Sequence, residues 1–336
     1  MWAASSTVYA NNSRFTGNKC GGVGVIQIIT NGKGYFYNST IANNIAGYNS
    51  TTSSRNGSGI YVRDGSDVQV VNCTISGNES NGNGAGVALH SSNATTYPET
   101  KLTLINSTIT GNSSKILDAS TAGIYALSAA CTVNVYNSIV SGNTGIGTSN
   151  YDIDVKTGST MNKVSSILSD KTYDVSGTEI AGQTFDHATM LGTLAENGGY
   201  SKTCQLLGDN NPAKTFGMSG AALIKLGTGL TPAIPENIVA YDQLGNQRTG
   251  SMMGAWTSNK VITDITAQNY QKSIIYIEND KICIKSNFND RIAVYDITGQ
   301  QINQTHAVGD LTKISNLKRN NLYIVKVNDQ STKVVF

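Results

Sequence analysis

The sequence has few charged side chains, and they form no basic stripe. Charged residues make up 14% of the 336 residues, whereas an ordinary globular chain has about 25%. The formal net charge is +2, and residues 1–260 hold 15 basic and 15 acidic side chains. Proteins that follow a phosphate backbone cluster their lysines and arginines on one surface. The sequence therefore predicts no nucleic-acid partner.

The chain also lacks long apolar runs and paired cysteines. No segment approaches the roughly 20 consecutive apolar residues of a membrane-spanning helix, so we expect no transmembrane segment. The five cysteines form no Cys-x-x-Cys motif, which predicts structural roles for all of them, no metal site and no cofactor. They are Cys20, Cys73, Cys131, Cys204 and Cys283.

One seven-residue phrase recurs five times in the first 143 residues. Its best copies read NSTIANN at 38–44, NCTISGN at 72–78 and NSTITGN at 106–112, and degenerate copies start at Asn12 and Asn137. The copies begin 26, 34, 34 and 31 residues apart. Low charge with low hydrophobicity would suggest disorder in an aperiodic chain. Periodicity on this scale instead predicts a repeat architecture.

A second, Gly-led phrase separates the copies. It reads GVGVIQI from Gly22, GSGIYVR from Gly57, GAGVALH from Gly84 and TAGIYAL from Thr121. Each period thus holds two short runs of alternating side chains closed by turn residues, which is the signature of strands. A coil of about 30 residues cannot bury a face alone, but stacked coils can. The predicted fold class is therefore all-β, with the architecture of a β-helix made of stacked coils.

Within the seven-residue phrase, side chains should alternate between the interior and the surface. The isoleucine should fill the core, with Phe15 and either Ile139 or Val140 continuing the stack. The Gly-Asn end tolerates the positive φ of a tight corner, and asparagines at equivalent corners can hydrogen-bond coil to coil in a ladder. The residues to which we assign these structural roles are Asn38, Ile41, Asn72, Ile75, Asn106 and Ile109.

These repeats resemble the right-handed parallel β-helix superfamily, the fold of pectate lyases and of many bacterial surface proteins. The NSTIxGN phrase is most similar to the repeats of autotransporter-like and polymorphic outer-membrane proteins of bacteria. The resemblance implies a right-handed parallel β-helix over residues 1–190. Because the first copy begins at Asn12 with no atypical coil before it to cover an open core, we expect the chain to be N-terminally incomplete, with an export signal upstream.

The Gly-led strands supply a candidate ligand-binding face. We align these strands on Gly24, Gly59, Gly86 and Gly123. This alignment puts Ile26 in the same outward column as Tyr61. Aromatic rings beside hydrogen-bonding groups suit a sugar-binding groove, although tyrosine is also common on ordinary exposed sheets. The candidate ligand-binding residues are Tyr61, Arg63, His90 and Tyr125.

An enzyme on this fold would need clustered carboxylates. A pectate-lyase-like site binds Ca²⁺ through carboxylates, and a glycoside hydrolase needs two facing carboxyl groups. Asp152 and Asp154 alternate on one face of the segment YDIDV, but a solvated strand face explains them better. We therefore predict no catalytic residue in this chain. A polysaccharide lyase or hydrolase whose catalytic coils lie upstream stays an alternative.

The pattern changes from about residue 190. Residues 191–257 carry the phrases LAENGG from Leu194, DNNPA ending at Ala213, DQLGNQR from Asp242 and MGAW from Met253. They resemble the domain called choice-of-anchor Q, which follows β-helices in bacterial surface proteins. We expect this region to cover the open end of the last coil. We further expect Asp242 and Arg248 to have a structural role as a bidentate pair that pins the closing loop.

After a linker at 258–263, residues 264–336 form a compact all-β pattern of short strands with polar turns. Its key phrases are VYDITGQ from Val294, LYIVKV from Leu322 and KVVF from Lys333. They resemble the C-terminal sorting domain of the type IX secretion system of Bacteroidota, with Asn321 where that family usually has glycine. The residues that carry this sorting motif are Val294, Tyr295, Gly299, Tyr323, Val325 and Lys333.

These resemblances imply where the protein is located more clearly than what it does. The tail is expected to form a small immunoglobulin-like β-sandwich and to direct export by the type IX secretion machinery. Removal of the tail and attachment to surface lipopolysaccharide would follow. The leading hypothesis is a non-enzymatic adhesin or glycan-binding protein that contacts surface polysaccharide or host glycans. A structural stalk is a further alternative.

Overall fold

The structure, a computed structural model, is described here for residues 1–50, 56–115, 121–146, 151–258, 274–278, 281–286, 290–307, 311–319, 321–328 and 330–336. The chain divides into two compact units, Met1–Lys260 and Val261–Phe336. The predicted linker and the first residues of the predicted tail lie almost wholly outside the described residues, and those boundaries stay a prediction. No helix in the described part of the chain is long and apolar enough to cross a membrane.

The first unit is a parallel β-helix, as predicted. Equivalent strands of successive coils pair in parallel, so that Ile75 lies opposite Ile41 on one side and Ile109 on the other. In chain order the coil strands are β1 (Trp2–Ala4), β2 (Thr7–Asn11), β3 (Arg14–Thr16), β4 (Lys19–Cys20), β5 (Ile26–Ile29), β6 (Lys33–Tyr37), β7 (Thr40–Ala42), β8 (Ile45–Ala46), β9 (Ile60–Arg63), β10 (Asp67–Val71), β11 (Thr74–Ser76), β12 (Glu79–Ser80), β13 (Val87–His90), β14 (Thr100–Ile105), β15 (Thr108–Thr110), β16 (Ser113–Ser114), β17 (Thr121–Ala126), β18 (Cys131–Tyr136), β19 (Ile139–Val140), β20 (Tyr151–Val155), β21 (Thr160–Val164) and β22 (Ser166–Leu168).

Each coil contributes its strands to the sheets in a fixed order. Sheet A runs β1-β5-β9-β13-β17-β20, and sheet B runs β2-β6-β10-β14-β18-β21. Sheet C contains β3-β7-β11-β15-β19-β22, and the short sheet D contains β4-β8-β12-β16. The Gly-led phrase thus forms sheet A, and the seven-residue phrase forms the corner into sheet C.

The interior is filled by stacks of aliphatic side chains, as the alternation predicts. Ile41, Ile75 and Ile109 are fully buried in the core, which confirms the inward isoleucine column. Phe15 packs against the same core and pairs with Ile41, while Val140 pairs with Ile109. Of the two candidates for the last position, Val140 therefore continues the stack.

Two asparagine ladders fix the corners of the coils. The opening asparagines all have positive φ, with values of 48° at Asn38 and 51° at Asn72 and Asn106. Asn72 Nδ2 donates to Asn38 Oδ1 at 3.0 Å. The closing asparagines form a second ladder in which each side chain donates to the next at 2.7–2.9 Å. Its members are Asn18, Asn44, Asn78, Asn112 and Asn143, and it ends on the carboxylate of Asp152.

The parallel stacking stops at β22. The next strands, β23 (Lys171–Tyr173) and β24 (Glu179–Thr184), continue sheet C in antiparallel pairing. Tyr173 is buried and belongs to the core of the β-helix. An antiparallel pair therefore follows the last parallel coil, and one of its side chains packs into the core of the solenoid.

Residues 191–257 lie along the side of the β-helix, which corrects the expectation that they cover its last coil. At the first coil, Arg14 makes a bidentate pair with Glu196 at 2.8 and 2.9 Å. Gln243 joins two coils, because its amide accepts from Thr74 at 2.7 Å and donates to Thr40 at 3.1 Å. We call residues 191–257 the strap.

The strap is held by apolar side chains that point outward from sheet B. Val71 and Ile105 end their strands and are fully buried, because helices of the strap pack on them. Leu223 and Val239 supply the matching apolar surface. Helix α1 (His187–Met190) precedes the strap, and the strap itself contains a 3₁₀ turn at Pro212–Lys214, α2 (Gly220–Thr228) and α3 (Glu236–Val239).

Asp242 and Arg248 stabilise the strap, but not through the bidentate pair that the sequence suggests. The described ion pairs do not include one between them. Arg248 is buried and donates to the carbonyls of Tyr241, Met252 and Gly254 at 2.6–3.1 Å. Asp242 accepts from the main-chain nitrogens of its own turn. Both charges bind main chain because the strap has little regular secondary structure to satisfy its polar groups.

The second unit consists of two antiparallel sheets around one core, a small β-sandwich. One sheet has the order β25-β26-β29 and the other β28-β27-β30-β31. Ile284 from the first sheet and Val325 from the second share this core. The strands are β25 (Ile274–Glu278), β26 (Lys281–Lys285), β27 (Arg291–Asp296), β28 (Gln301–His306), β29 (Leu311–Ile314), β30 (Leu322–Val327) and β31 (Gln330–Val335).

The sorting-motif residues take ordinary places in this sandwich. Val294, Tyr323 and Val325 are buried in its core. Tyr295 is half-buried on β27, and Lys333 is exposed on β31. Gly299 has a φ of +86° in the turn between β27 and β28. A role in sorting stays a prediction.

Candidate functional site

The four candidate ligand-binding residues lie on the outer face of sheet A. Alternation along β9 buries Ile60 and Val62 in the core and turns Tyr61 and Arg63 outward. His90 of β13 lies directly opposite Arg63. Tyr61 and Tyr125 each lie opposite Ala88, one coil away on either side. The four side chains therefore belong to two adjacent columns of one surface.

The second coil of this face, with β5, corrects the alignment on Gly24. Ile26, not Val25, lies opposite Ile60, and Gln27 lies opposite Tyr61. Ile26 is fully buried, so an outward position would expose a side chain that the core requires. The outward neighbour of Tyr61 in the preceding coil is consequently the amide of Gln27.

Tyr61 and Tyr125 are more deeply buried than side chains on an exposed sheet face usually are. Only 6% of Tyr61 and 7% of Tyr125 is exposed. Neighbouring turns pack on their Cβ atoms, since a Cβ on Gly57, before β9, would lie 3.2 Å from that of Tyr61, and one on Gly84, before the adjacent β13, would lie 2.9 Å from that of Tyr125. Burial raises the pKa of both phenols. Neither ring offers a full face for stacking.

Tyr61 and His90 form a pair across two adjacent coils of the face. Tyr61 Oη and His90 Nδ1 lie at hydrogen-bond distance, 3.2 Å. Burial lowers the pKa of His90, and the nearby charge of Arg63 lowers it further. The imidazole is therefore neutral at pH 7 and offers a hydrogen-bonding nitrogen without a charge.

Arg63 supplies the positive charge of the face. Its Nε lies 3.0 Å from Asp64 Oδ2, and its side chain is 40% exposed. Asp64 is itself fixed, because its Oδ1 accepts from the main-chain nitrogen of Ser92 at 2.8 Å. The structure thus brings Tyr61, Arg63 and His90 into one cluster.

Tyr125 belongs to a neighbouring group. Lys156 Nζ lies 5.5 Å from the centre of the Tyr125 ring and 2.8 Å from Asp154 Oδ2. The sequence did not single out Gln27 or Lys156 for this face. Gln27 was missed because the alignment on Gly24 is offset by one residue, and Lys156 was missed because its coil carries neither repeated phrase.

The carboxylates of Asp152 and Asp154 do not face each other across a cleft. Asp154 pairs with Lys156, while Asp152 accepts from the main chain and the side chain of Asn143, both at 2.7 Å. Asp152 lines a cleft of about 490 Å³ with Asp170 and Asp186. Asp186 in turn caps helix α1 through Ala188. Two of these carboxylates therefore have structural partners, Asp152 within the coils and Asp186 within helix α1.

No group of three or more His, Cys, Asp or Glu side chains in the described residues is placed to hold a metal ion. The cysteines described here are all free thiols. Searches against protein-family models, curated proteins and solved structures gave no match to this chain.

Proposed function

We propose that this chain is a secreted, cell-surface β-helix protein that binds glycans and catalyses no reaction. The observation that carries the proposal is the cluster of Tyr61, Arg63 and His90 on sheet A. A neutral imidazole, a phenol and a guanidinium offer hydrogen-bond donors and acceptors to sugar hydroxyls. The stacked coils hold these groups on rigid strands, so little ordering is needed on binding.

The glycan-binding proposal is tested on a glycan array with the full chain. The double variant Arg63→Ala/His90→Ala should lose the bound glycans. The matched control Lys33→Ala/His187→Ala removes one cation and one imidazole from exposed positions elsewhere and should retain them. Absence of any bound glycan, together with no adhesion to host cells, would leave only the role of a structural stalk.

The non-enzymatic part of the proposal has its own test. Asp152 and Asp154 are engaged in an internal ladder and a surface ion pair, which supports binding over polysaccharide cleavage. The full chain is incubated with polygalacturonate and other acidic glycans in the presence of Ca²⁺. Unchanged chain length is expected. Depolymerisation would favour the polysaccharide lyase or hydrolase instead.

We further propose that the second unit is a sorting domain read by the type IX secretion machinery. The support is the placement of the phrases VYDITGQ and LYIVKV on paired strands of one compact sandwich. Tail removal and attachment to lipopolysaccharide belong to the same proposal. A chain without residues 264–336 should accumulate in the periplasm of a bacterium that has this machinery. Normal surface display of the truncated chain would refute it.

A further inference from the structure

A cleft between the strap and the first two coils has the composition of a sugar-binding site. It has a volume of about 270 Å³ and is lined by Asn12, Asn38, Tyr200, Asn237 and Tyr241, among others. This volume lies just below the roughly 300 Å³ at which typical small-molecule sites begin. The cleft therefore suits one sugar residue of a longer chain.

Two tyrosine side chains line this cleft and are exposed to solvent. Tyr200 is 77% exposed and Tyr241 is 36% exposed. Their main chains, by contrast, are held firmly: Arg14 Nε donates to the carbonyl of Tyr200 at 2.8 Å, and Arg248 Nε donates to that of Tyr241 at 3.1 Å. Rings on an anchored backbone lose little conformational entropy when a ligand stacks on them.

Two asparagines of the cleft come from coil corners that the strap leaves uncovered. In the third and fourth coils, the opening asparagines Asn72 and Asn106 donate to carbonyls of α3. Asn12 and Asn38, the equivalents in the first two coils, remain exposed and half-exposed. Among the described residues, no hydrogen bond engages the side chains of Asn12 and Asn237.

The charged residue that lines the cleft is bound within the strap. This residue, Asp242, is fully buried, and its oxygens accept from Leu244, Asn246 and Thr257. Arg14 is paired with Glu196 in bidentate fashion. The groups left for a ligand are therefore neutral amides and phenols beside aromatic faces.

We propose that this cleft binds a residue of a neutral polysaccharide. The rings of Tyr200 and Tyr241 would pack against the C–H face of a pyranose. The amides of Asn12 and Asn237 would bond its hydroxyl groups, since an amide offers both donors and an acceptor. This inference deepens the proposed glycan binding and rests on it, and it adds a contact between the strap and the first two coils to the one on sheet A.

Isothermal titration calorimetry of the full chain tests the inference. The neutral probes are cellohexaose, mannohexaose, maltohexaose and β-1,4-galactohexaose, and the acidic probe is polygalacturonate. At least one neutral probe should bind, and Tyr200→Ala and Tyr241→Ala should each weaken it by roughly tenfold or more. Tyr9→Ala is the matched control, because Tyr9 is 73% exposed on sheet B outside the cleft. It should bind like the wild type.

Two results would overturn the inference. One is neutral-probe binding that survives both tyrosine substitutions, and the other is binding of polygalacturonate alone. If Arg63→Ala/His90→Ala abolishes binding while the tyrosine variants retain it, the cleft is refuted and the sheet A proposal stands. Thermal melting by circular dichroism verifies that each variant is folded.

Discussion

Arg248 anchors Tyr241: the buried guanidinium donates its Nε–H to the tyrosine carbonyl at 3.1 Å, while the ring stays partly exposed. Its other nitrogens bond Met252 and Gly254, so the same side chain closes the end of the strap. Arg14 holds the carbonyl of Tyr200 in the same way from the first coil. Arg248 of the strap and Arg14 of the first coil thus position the aromatic side chains that the cleft presents.

Arg14→Ala should separate positioning from stability. The Arg14–Glu196 pair is largely exposed, and exposed pairs contribute about 0–1 kcal/mol to the free energy of unfolding. Urea unfolding should therefore change little. Affinity for a neutral oligosaccharide should nevertheless fall, because the backbone of Tyr200 loses its anchor. Wild-type affinity in Arg14→Ala would show that the anchor has no role in binding, and Lys19→Ala serves as an exposed cation control.

Asn78→Ala should destabilise the β-helix strongly. The side chain is fully buried, donates to Asn112 and to the carbonyl of Ile41, and accepts from both nitrogens of Asn44. Alanine would leave several buried groups unpaired, at about 1–3 kcal/mol for each, so we expect a total loss of roughly 3–5 kcal/mol.

Asn18→Ala is the control for the ladder. Asn18 is the same residue type in the same column, but it is exposed at the end of the ladder, so its loss should cost under about 1 kcal/mol. Urea denaturation monitored by circular dichroism measures both variants. Equal losses at the two positions would contradict a cooperative internal ladder.

Asp152 should make stability depend on pH in an unusual direction. Burial raises its pKa above the ordinary value of 3.8, although bonds from Asn143 oppose this. The folded state therefore favours the protonated carboxyl, and the contribution of this residue to stability rises as pH falls from neutral toward 3.8. Most surface carboxylates, whose pKa values fall on folding, behave in the opposite way.

Asp152→Asn isolates this effect. The amide oxygen can still accept both bonds from Asn143, while the buried charge is removed. The variant should be more stable than the wild type at pH 7, and its advantage should shrink as the pH is lowered toward 4. Urea unfolding of both proteins across this range gives the difference directly. A difference that does not vary with pH would contradict the assignment.

Gly86→Ala should be poorly tolerated. An added Cβ would lie 2.7 Å from the carbonyl oxygen of Gly123 and 2.9 Å from Cγ2 of Ile109. Neither the strand backbone nor the packed core can move without losing contacts. We therefore expect the free energy of unfolding to fall by about 1–3 kcal/mol. Gly22→Ala is the control, since its Cβ would meet nothing within 4 Å. Comparable unfolding midpoints for the two variants would refute the steric account.

Much of the solenoid could be predicted because identical residues recur at nearly constant spacing. The inward isoleucine recurs at Ile41, Ile75 and Ile109, and an asparagine opens the corner of five successive coils, so the same local packing repeats along the β-helix. The register of the second coil was not predictable from its glycines, because Ile26 pairs with Ile60 and Val25 therefore takes the position of Gly59, which neither Gly22 nor Gly24 does. The full burial of Ile26 agrees with this register.

The sequence predicted a separate region at residues 191–257, but it did not predict that this region lies along the side of the β-helix. Its packing surface does leave a signal, because Val70-Val71 and Leu104-Ile105 break the alternation with two consecutive apolar residues. Such a pair indicates a strand covered on both faces. Tyr200 and Tyr241 left no such signal, since their meeting at one cleft depends on chain segments that are distant in sequence.

The measurement that tests the central claim most directly is a titration of the full chain with neutral and acidic oligosaccharides. It compares the wild type with Arg63→Ala/His90→Ala and with Tyr200→Ala/Tyr241→Ala. Saturable glycan binding that at least one double variant abolishes, with both variants folded, is the predicted result. No saturable binding to any probe, or binding that both double variants retain, would contradict the account of this β-helix as a glycan-binding protein.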